Sequence, residues 1–444
     1  LVDEVVNLVE WPVVVSATFP QSLLDLPPRL LVESMGVHQR VFPLYTRSED
    51  ETNPGRLSHH FLVVTNHTKG HEPDVATIIG DGNRRVLQAR FHDAQFFYAE
   101  DKKIPLADHG KSLGDMRWIR DGGTMADKSQ RVAALSKALA AIFECNPEEA
   151  QHAGALCKAD LMTLMVGEFP ELQGHVGRLL ASHEGLGNAV ATAIEEHYLP
   201  RFTGDELPCS PQGRSVALAD RLDTLAGCFA KGLRPKGSAD PLGLRRASNG
   251  LIAILLDAQI QTPLPELFGL TEWELDSCSD ALLQFVVTRL RTHMCENHPT
   301  DVVDAVLGTG DLNVVALSAR VQALSAIATT AEFGPLKETF KRVMGLTKEH
   351  LQTDYAANKL AHPSEKALHD ALDNVADRAQ QAADNLDFAT SLAELSSLKG
   401  PVDQLFEDVM VMDDDLEIRR NRLGLLRSVA DAFRHIADFT RLST

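Results

Sequence analysis

Hydrophobic and polar residues follow two different patterns along the chain, and the pattern changes near Gly123. Upstream, short apolar runs rich in β-branched residues are typical of strands, and other segments carry apolar residues at helical spacing. We predict strands at 11–15, 41–45 and 61–65, and helices at 29–35 and 84–101. Residues 48–58 combine Glu, Asp, Asn, Pro and Gly, which predicts a loop. Residues 1–115 are therefore expected to form an α+β domain.

Downstream of Gly123, apolar residues recur at three- and four-residue steps, which is the pattern of amphipathic helices. The predicted helices cover 128–143, 151–166, 188–198, 214–229, 242–257, 278–297 and 312–329. Residues 331–444 are expected to contain at least four long helices and little else. The fold class predicted from the pattern is mainly α and multidomain, with segments 1–115, 116–240, 241–330 and 331–444.

Composition agrees with a globular helical protein. The 444 residues are 44% hydrophobic, 24% charged and only 6% aromatic. Without an apolar run of about 20 residues, we predict no membrane segment. The six cysteines form no Cys-x-x-Cys pair, which favours reduced core cysteines and a cytoplasmic protein over a zinc ribbon. Leu1 lies inside an amphipathic stretch with no signal peptide, so we expect sequence upstream of it.

The net charge of −19 repels nucleic acid overall, and we predict no DNA partner. Local charge differs near the C-terminus, where residues 419–441 hold six arginines against two aspartates. Seven-residue steps separate Arg420, Arg427, Arg434 and Arg441, so a continuous helix places them on one face. Such a stripe fits a contact with RNA phosphates. On the stripe alone, a solvated face with salt bridges to neighbouring helices is the more usual explanation.

The sequence around this stripe also predicts its own helix. Asp413, Asp414, Asp415 and Glu417 are placed to cap the helix and offset its dipole. The expected core side of the helix follows at alternating three- and four-residue steps: Leu423, Leu426, Ala430, Phe433 and Ala437.

Three motifs in this region resemble a known domain. They are Pro401-Val-Asp-Gln-Leu-Phe, then Val409-Met-Val-Met412 followed by acidic residues, then Asn421-Arg422-Leu423. Together they resemble the DALR-type anticodon-binding domain shared by arginyl-tRNA synthetase and the glycyl-tRNA synthetase β subunit. The resemblance implies that 331–444 is this all-α domain. The resemblance also implies that this domain binds tRNA through its arginines: Arg420, Arg422, Arg427, Arg434 and Arg441.

A second resemblance lies in the middle of the chain. Leu156-Cys-Lys-Ala-Asp-Leu-Met162 and residues 217–225 are similar to the two motif helices of the HD phosphohydrolase superfamily, whose members hold a divalent metal with a His-Asp dyad and a distal Asp. Here the dyad position is Ala159-Asp160, with Asp220 or Asp223 as the distal acid. Because Ala has no metal ligand, the HD-like site of 116–240 is expected to be degenerate and to hold no metal. The histidines nearby are alternative ligands but are more typical of structural or exposed positions: His152, His175 and His183.

A basic loop follows the HD-like segment. Between 231 and 246 there are five bases and a single acid, Asp240. This stretch resembles the glycyl-tRNA synthetase β subunit, and we predict that the bases contact tRNA or the α subunit: Lys231, Arg234, Lys236, Arg245 and Arg246. A solvated loop leading into a capped helix is the alternative.

Taken together, the motifs resemble the β subunit of bacterial heterotetrameric glycyl-tRNA synthetase along the whole chain. The resemblance implies an α2β2 glycine–tRNA ligase in the cytoplasm, in which this chain positions tRNA(Gly). ATP, magnesium and glycine are then expected in the α subunit, with no cofactor and no catalytic residue in this chain, and 241–330 would be a helical linker. Two other hypotheses remain: a metal-dependent HD-type phosphohydrolase, and a non-catalytic helical scaffold.

Overall fold

The computed structural model describes residues 1–47, 55–331, 333–350 and 352–443. The chain divides into two compact units. The first contains 1–198 and 208–217, and the second contains 199–207 and the chain from 218 onward. The boundary falls inside the helix Pro211–Ala230. The division into four segments made from the sequence stays a prediction.

The first unit contains a three-stranded antiparallel sheet in the order β1 (Val13–Thr18), β3 (Leu57–Thr65), β2 (Phe42–Tyr45). All three predicted strands are confirmed, but β3 starts earlier than expected, so 57–58 are strand and not loop. Residues 48–54 of the predicted loop lie outside the described residues.

The helices of the first unit, in chain order, are α1 (Val2–Leu8), α2 (Pro28–Glu33), α3 (Pro73–Asp101), α4 (Leu106–Lys111), α5 (Met125–Leu139), α6 (Pro147–Leu156), α7 (Leu164–Glu168), α8 (His175–His183) and α9 (Asn188–Glu196). Helix α3 packs on the sheet: Phe91 is fully buried and meets Phe19 edge-on, with ring centroids 5.2 Å apart. A Cβ on Gly80 would lie 3.2 Å from the Cβ of Ala17 in β1, so the absence of a side chain there lets the helix approach the strand closely.

The predicted helix over 151–166 is wrong in its middle. Helix α6 ends at Leu156, a 3-10 turn follows at Ala159–Met162, and α7 starts at Leu164. The Thr163 hydroxyl accepts a hydrogen bond from Val166 N (3.1 Å), which caps α7 and makes it a separate helix.

The described secondary-structure elements of the second unit are helices, apart from an isolated bridge between Lys236 and Ala239. Helix α10 (Pro211–Ala230) crosses the boundary, and the others are α11 (Leu244–Asp257), α12 (Leu264–Gly269), α13 (Ser279–Met294), α14 (Thr300–Leu307), α15 (Val314–Ala328), α16 (Phe333–Leu346), α17 (Pro363–Asp384), α18 (Phe388–Ser396), α19 (Lys399–Asp408) and α20 (Leu416–Arg434). Phe340 of α16 lies against Phe433 of α20, with ring centroids 3.6 Å apart, and Phe439 meets Phe433 edge-on. The mainly α prediction is confirmed, including the long helices of the final block.

Among the described residues, no single helix has the length and apolar composition to cross a membrane. In the same part of the chain, α15 and α16 taken together have the required length and composition, but that pair is bent by 119°.

Candidate nucleic-acid interface

The start of α20 is built as the sequence predicts. Asp415 is the N-cap, and its carboxylate accepts hydrogen bonds from Glu417 N (2.8 Å) and Ile418 N (3.3 Å). Each of the expected core positions, from Leu423 to Ala437, is buried. Capping and apolar spacing therefore place this helix correctly.

The prediction of one exposed face of four arginines is wrong. Helix α20 ends at Arg434, and Arg441 lies in a separate 3-10 turn, paired with Asp438 (3.2 Å). Arg427 is only 6% exposed, and its Nε lies 2.8 Å from Asp431 Oδ1. Arg420, Arg434 and Arg441 remain exposed, but Arg441 is outside the helix.

Arg427 is buried because residues 347–350 and 352–355 lie across the middle of α20. At Gly424 the contact is so close that a Cβ would lie 2.7 Å from the Asp354 carbonyl oxygen. Nearer the start of the helix, Arg420 donates to the side chain of Gln352 (2.6 Å) and stays exposed. Helical spacing puts the arginines on one side, but this tertiary contact decides which of them reach solvent.

Arg422 also points inward, which corrects its predicted role in tRNA binding. Its side chain is 12% exposed, and Nε donates to Glu365 Oε1 (2.6 Å), while Nη1 donates to Asp413 Oδ2 (2.7 Å) and to the Met410 carbonyl oxygen (2.9 Å). Burial works to raise the pKa of the Glu365 carboxyl, but the hydrogen bonds from Arg422 and from His362 N hold that pKa below its usual range. Arg422 therefore ties the 410–413 loop to α17.

Exposed apolar side chains lie on this loop and on the first turn of α20, and the Val409–Met412 motif did not predict their exposure. Met410 is 76% exposed and Leu416 is 72% exposed, with Met412 and Ile418 beside them. Arg419 donates to the Asp413 carbonyl oxygen (2.7 Å) and so helps fix the loop. The sequence signal for an exposed apolar surface is the pair Met410 and Met412 with acidic residues on either side, because methionines are common at binding surfaces.

The basic loop before α11 is less open than predicted. The Asp240 carboxylate accepts hydrogen bonds from Leu244 N and Arg245 N (both 2.9 Å), so the first amides of α11 already have an anionic partner. The Arg245 guanidinium donates to the carbonyl oxygens of Gly237 and Ser238.

The other four bases of this loop are exposed. Lys231 lies over the Trp273 ring (5.6 Å) and Arg234 over the Phe229 ring (5.4 Å). For Lys236 and Arg246, the described residues provide no side-chain hydrogen bond or ion pair.

In the HD-like segment, Asp160 follows Ala159 in the 3-10 turn and is fully buried. Its Oδ2 accepts hydrogen bonds from Gly174 N (2.5 Å) and Gly177 N (3.0 Å). Burial raises the pKa of Asp160 to about 6, against the effect of these bonds and of Lys158. The carboxylate thus anchors the start of α8.

The remaining candidate ligands have other contacts or lie in the second unit. His175 contacts Glu195 (3.0 Å), and His152 and His183 are exposed. Asp220 and Asp223 belong to the second unit, where Asp223 accepts from the Trp273 indole N–H (2.9 Å). Over the described ranges, no group of three or more His, Cys, Asp or Glu side chains is arranged to hold a metal ion.

The sequence of the last helices matches a known domain family. Residues 337–441 match the DALR anticodon binding domain, so the C-terminal part of the second unit is a domain of that class. Residues 1–308 match the family described as glycyl-tRNA synthetase beta subunit.

Whole-chain relatives agree with these matches. Over its full length, the chain is 40% identical to the glycine–tRNA ligase beta subunits of Geobacter sp. (strain M21) and Citrifermentans bemidjiense, and 38% identical to that of Janthinobacterium sp.. It spans 64%, 64% and 63% of their lengths. The chain belongs to the glycyl-tRNA synthetase beta subunit family, which confirms the resemblance found in the sequence.

Proposed function

We propose that this chain is part of the beta subunit of a glycine–tRNA ligase and positions glycine tRNA for ATP-dependent glycylation by an alpha subunit. The observation that carries the proposal is the match of 337–441 to an anticodon-binding domain whose last long helix presents Arg420 to solvent. In this proposal ATP, magnesium and glycine bind the alpha subunit, and the complex is α2β2 and cytoplasmic.

Charge limits where the RNA backbone can lie. Residues 331–444 hold 14 bases and 20 acids, so a phosphate contact needs a cation that is exposed and free of a close carboxylate. Arg420 meets this condition because its contact is the neutral side chain of Gln352. Arg434 is 44% exposed and lies 3.9 Å from Asp431, a weak pairing at the surface. Arg422 and Arg427 are used in internal contacts.

The first test is binding of a glycine tRNA transcript at two salt concentrations. Removing one phosphate contact should weaken binding and lower the slope of log affinity against log salt by about 1. We expect this for Arg420→Ala and for Arg434→Ala. The matched control is Arg289→Ala. Arg289 lies outside the anticodon-binding domain, and its side chain donates a hydrogen bond to the Thr292 hydroxyl (3.4 Å). Salt-independent binding, or equal losses in all three variants, would contradict the proposal.

The second test is glycylation by the complete enzyme with its alpha subunit. Arg420→Glu combined with Arg434→Glu should raise the KM for tRNA and leave glycine-dependent ATP–pyrophosphate exchange unchanged. Unaltered glycylation would remove these arginines from the tRNA interface. Loss of the exchange reaction would show that the change acts through the alpha subunit's chemistry.

The phosphohydrolase hypothesis has no observation in its favour. The Asp160 carboxylate is directed at two backbone amides, and position 159 offers no ligand. The scaffold hypothesis is separated from ours by the tRNA-binding test.

A further inference from the structure

Four large apolar side chains lie exposed where the 410–413 loop meets the first turn of α20. The exposed fractions are 76% for Met410, 49% for Met412, 72% for Leu416 and 42% for Ile418. A single exposed apolar side chain is ordinary on a protein surface, whereas several close together mark a place where another molecule binds. We call these four residues the Met410 surface.

Buried contacts hold the loop of this surface against the helix. Val409 and Val411 are buried, so the backbone is anchored on either side of Met410. Arg422 Nη1 donates to the Met410 carbonyl oxygen (2.9 Å) and to Asp413 Oδ2 (2.7 Å). Because Arg422 belongs to α20, these bonds fix the loop beside the helix. The Met410 surface is therefore preorganised, which lowers the entropic cost of binding a partner.

The charge around the Met410 surface is negative. Residues 407–418 contain six acids and no base. Three of these acids already have partners within the chain: Asp413, Asp415 and Glu417. The other three, which we call the free acids, are exposed and make no side-chain hydrogen bond or ion pair with any described residue: Glu407, Asp408 and Asp414. Their negative potential disfavours RNA phosphates and attracts a cationic partner.

An amphipathic α-helix with Lys or Arg beside its apolar face has the chemistry that complements this surface. Helices of this kind are bound through an apolar face, and flexible methionines adapt to the side chains that they present. The flanking cations would lie opposite the free acids. A second copy of the chain using the same surface is disfavoured, because a two-fold contact would bring like charges together.

We propose that the Met410 surface docks an amphipathic helix of a partner protein. The apolar face of that helix contacts the four exposed side chains, and its flanking Lys or Arg side chains face the free acids. The contact uses neither Arg420 nor Arg434, so it is separate from the proposed tRNA contact.

The test measures binding of the full chain to three fluorescent synthetic peptides of roughly 14 residues, the length of a short helix. The first peptide forms a helix with leucines on one face and lysines beside them. The second carries glutamates in place of the lysines, and the third has the composition of the first with its leucines distributed around the helix. We expect the first peptide to bind, the third to bind about tenfold more weakly or worse, and the second not to bind.

Methionine oxidation shows where the first peptide binds. Peroxide converts exposed methionines to the sulfoxide, and mass spectrometry follows the rate at each position. Saturating peptide should slow the oxidation of Met410 and Met412. The internal control is Met116, which is 36% exposed in the first unit and should oxidise at an unchanged rate.

Variants of the surface test the apolar and the charged parts separately. Met410→Ser combined with Leu416→Ser should weaken binding of the first peptide about tenfold or more, because less apolar area is buried. The matched control is Leu270→Ser, at a position 43% exposed directly after α12. Asp414→Asn should weaken binding about two- to fivefold at low salt and have little effect at high salt. Asp370→Asn, the same charge change at an exposed position of α17, should leave binding unchanged.

The outcomes separate this inference from the proposed function. If the first peptide did not bind at about 1 mM, or bound the double serine variant as well as wild type, the inference would fall. The same holds if glycine tRNA, and not the peptide, protected Met410 and Met412 from oxidation, since the surface would then belong to the RNA contact. In each case the proposed function would stand. Circular dichroism checks the folding of each variant, and both serine substitutions are at exposed positions.

Discussion

Replacing Arg422 by methionine tests the conclusion that this arginine holds the domain together and does not contact RNA. The change removes the guanidinium and keeps a long apolar side chain. It leaves the Glu365 carboxylate, whose side chain is 3% exposed, without its charged partner. Breaking a buried pair from one side typically costs about 3–5 kcal/mol. We therefore expect Arg422→Met to lower the free energy of unfolding by about 3–5 kcal/mol at pH 7.

The pH dependence gives a second readout. The folded-state pKa of Glu365 lies below its ordinary value of 4.5, so the pair contributes stability above that value and loses it as pH falls through the folded pKa. The difference between wild type and Arg422→Met should therefore be largest near neutral pH and shrink below about pH 4.5.

The assay is urea unfolding followed by circular dichroism at several pH values. Arg420→Met is the control. Arg420 lies two residues away, is exposed and donates to a neutral side chain, so its replacement should change stability by no more than about 0.5 kcal/mol. Adding Glu365→Gln to Arg422→Met should recover part of the loss, because the unpaired charge is gone. A loss below about 1 kcal/mol in Arg422→Met, or weaker tRNA binding with unchanged stability, would refute the structural role.

The remaining predictions concern Asp160 and two glycines. The folded-state pKa of Asp160 is about 6, above its ordinary value of 3.8. The stability of wild type relative to Asp160→Asn should therefore fall as pH rises from about 4 to about 7. A difference in the free energy of unfolding by urea that stays constant over this range would contradict the assignment. Gly424→Ala places a Cβ 2.7 Å from the Asp354 carbonyl oxygen and should cost about 1–3 kcal/mol in thermal unfolding. At Gly345 a Cβ would meet nothing within 4 Å, and Gly345→Ala should instead stabilise α16 by roughly 0.5–1 kcal/mol; equal effects at the two glycines would show that the crossing at Gly424 is not tight.

Local signals were sufficient for much of the fold. Strand runs, the Asp415 cap and the apolar spacing of α20 depend on neighbours within a few residues, and the sequence located them correctly. The break between α6 and α7 was missed because the apolar spacing continues across it. Asp160 lies in the 3-10 turn at this break. Its hydrogen-bond partners, Gly174 and Gly177, lie more than ten residues away, so local spacing does not reveal them.

Part of the candidate site could likewise be predicted from the sequence, and part could not. Family membership and the helix that carries the arginines follow from the sequence, since motifs and helical periodicity are properties of the chain alone. Which arginine faces solvent does not. Arg427 is covered by a segment about 80 residues upstream, and Arg422 is turned inward by Glu365, 57 residues away. Helical spacing fixes the direction of a side chain relative to its own helix, whereas exposure depends on what packs against that helix, and only the tertiary structure supplies the packing.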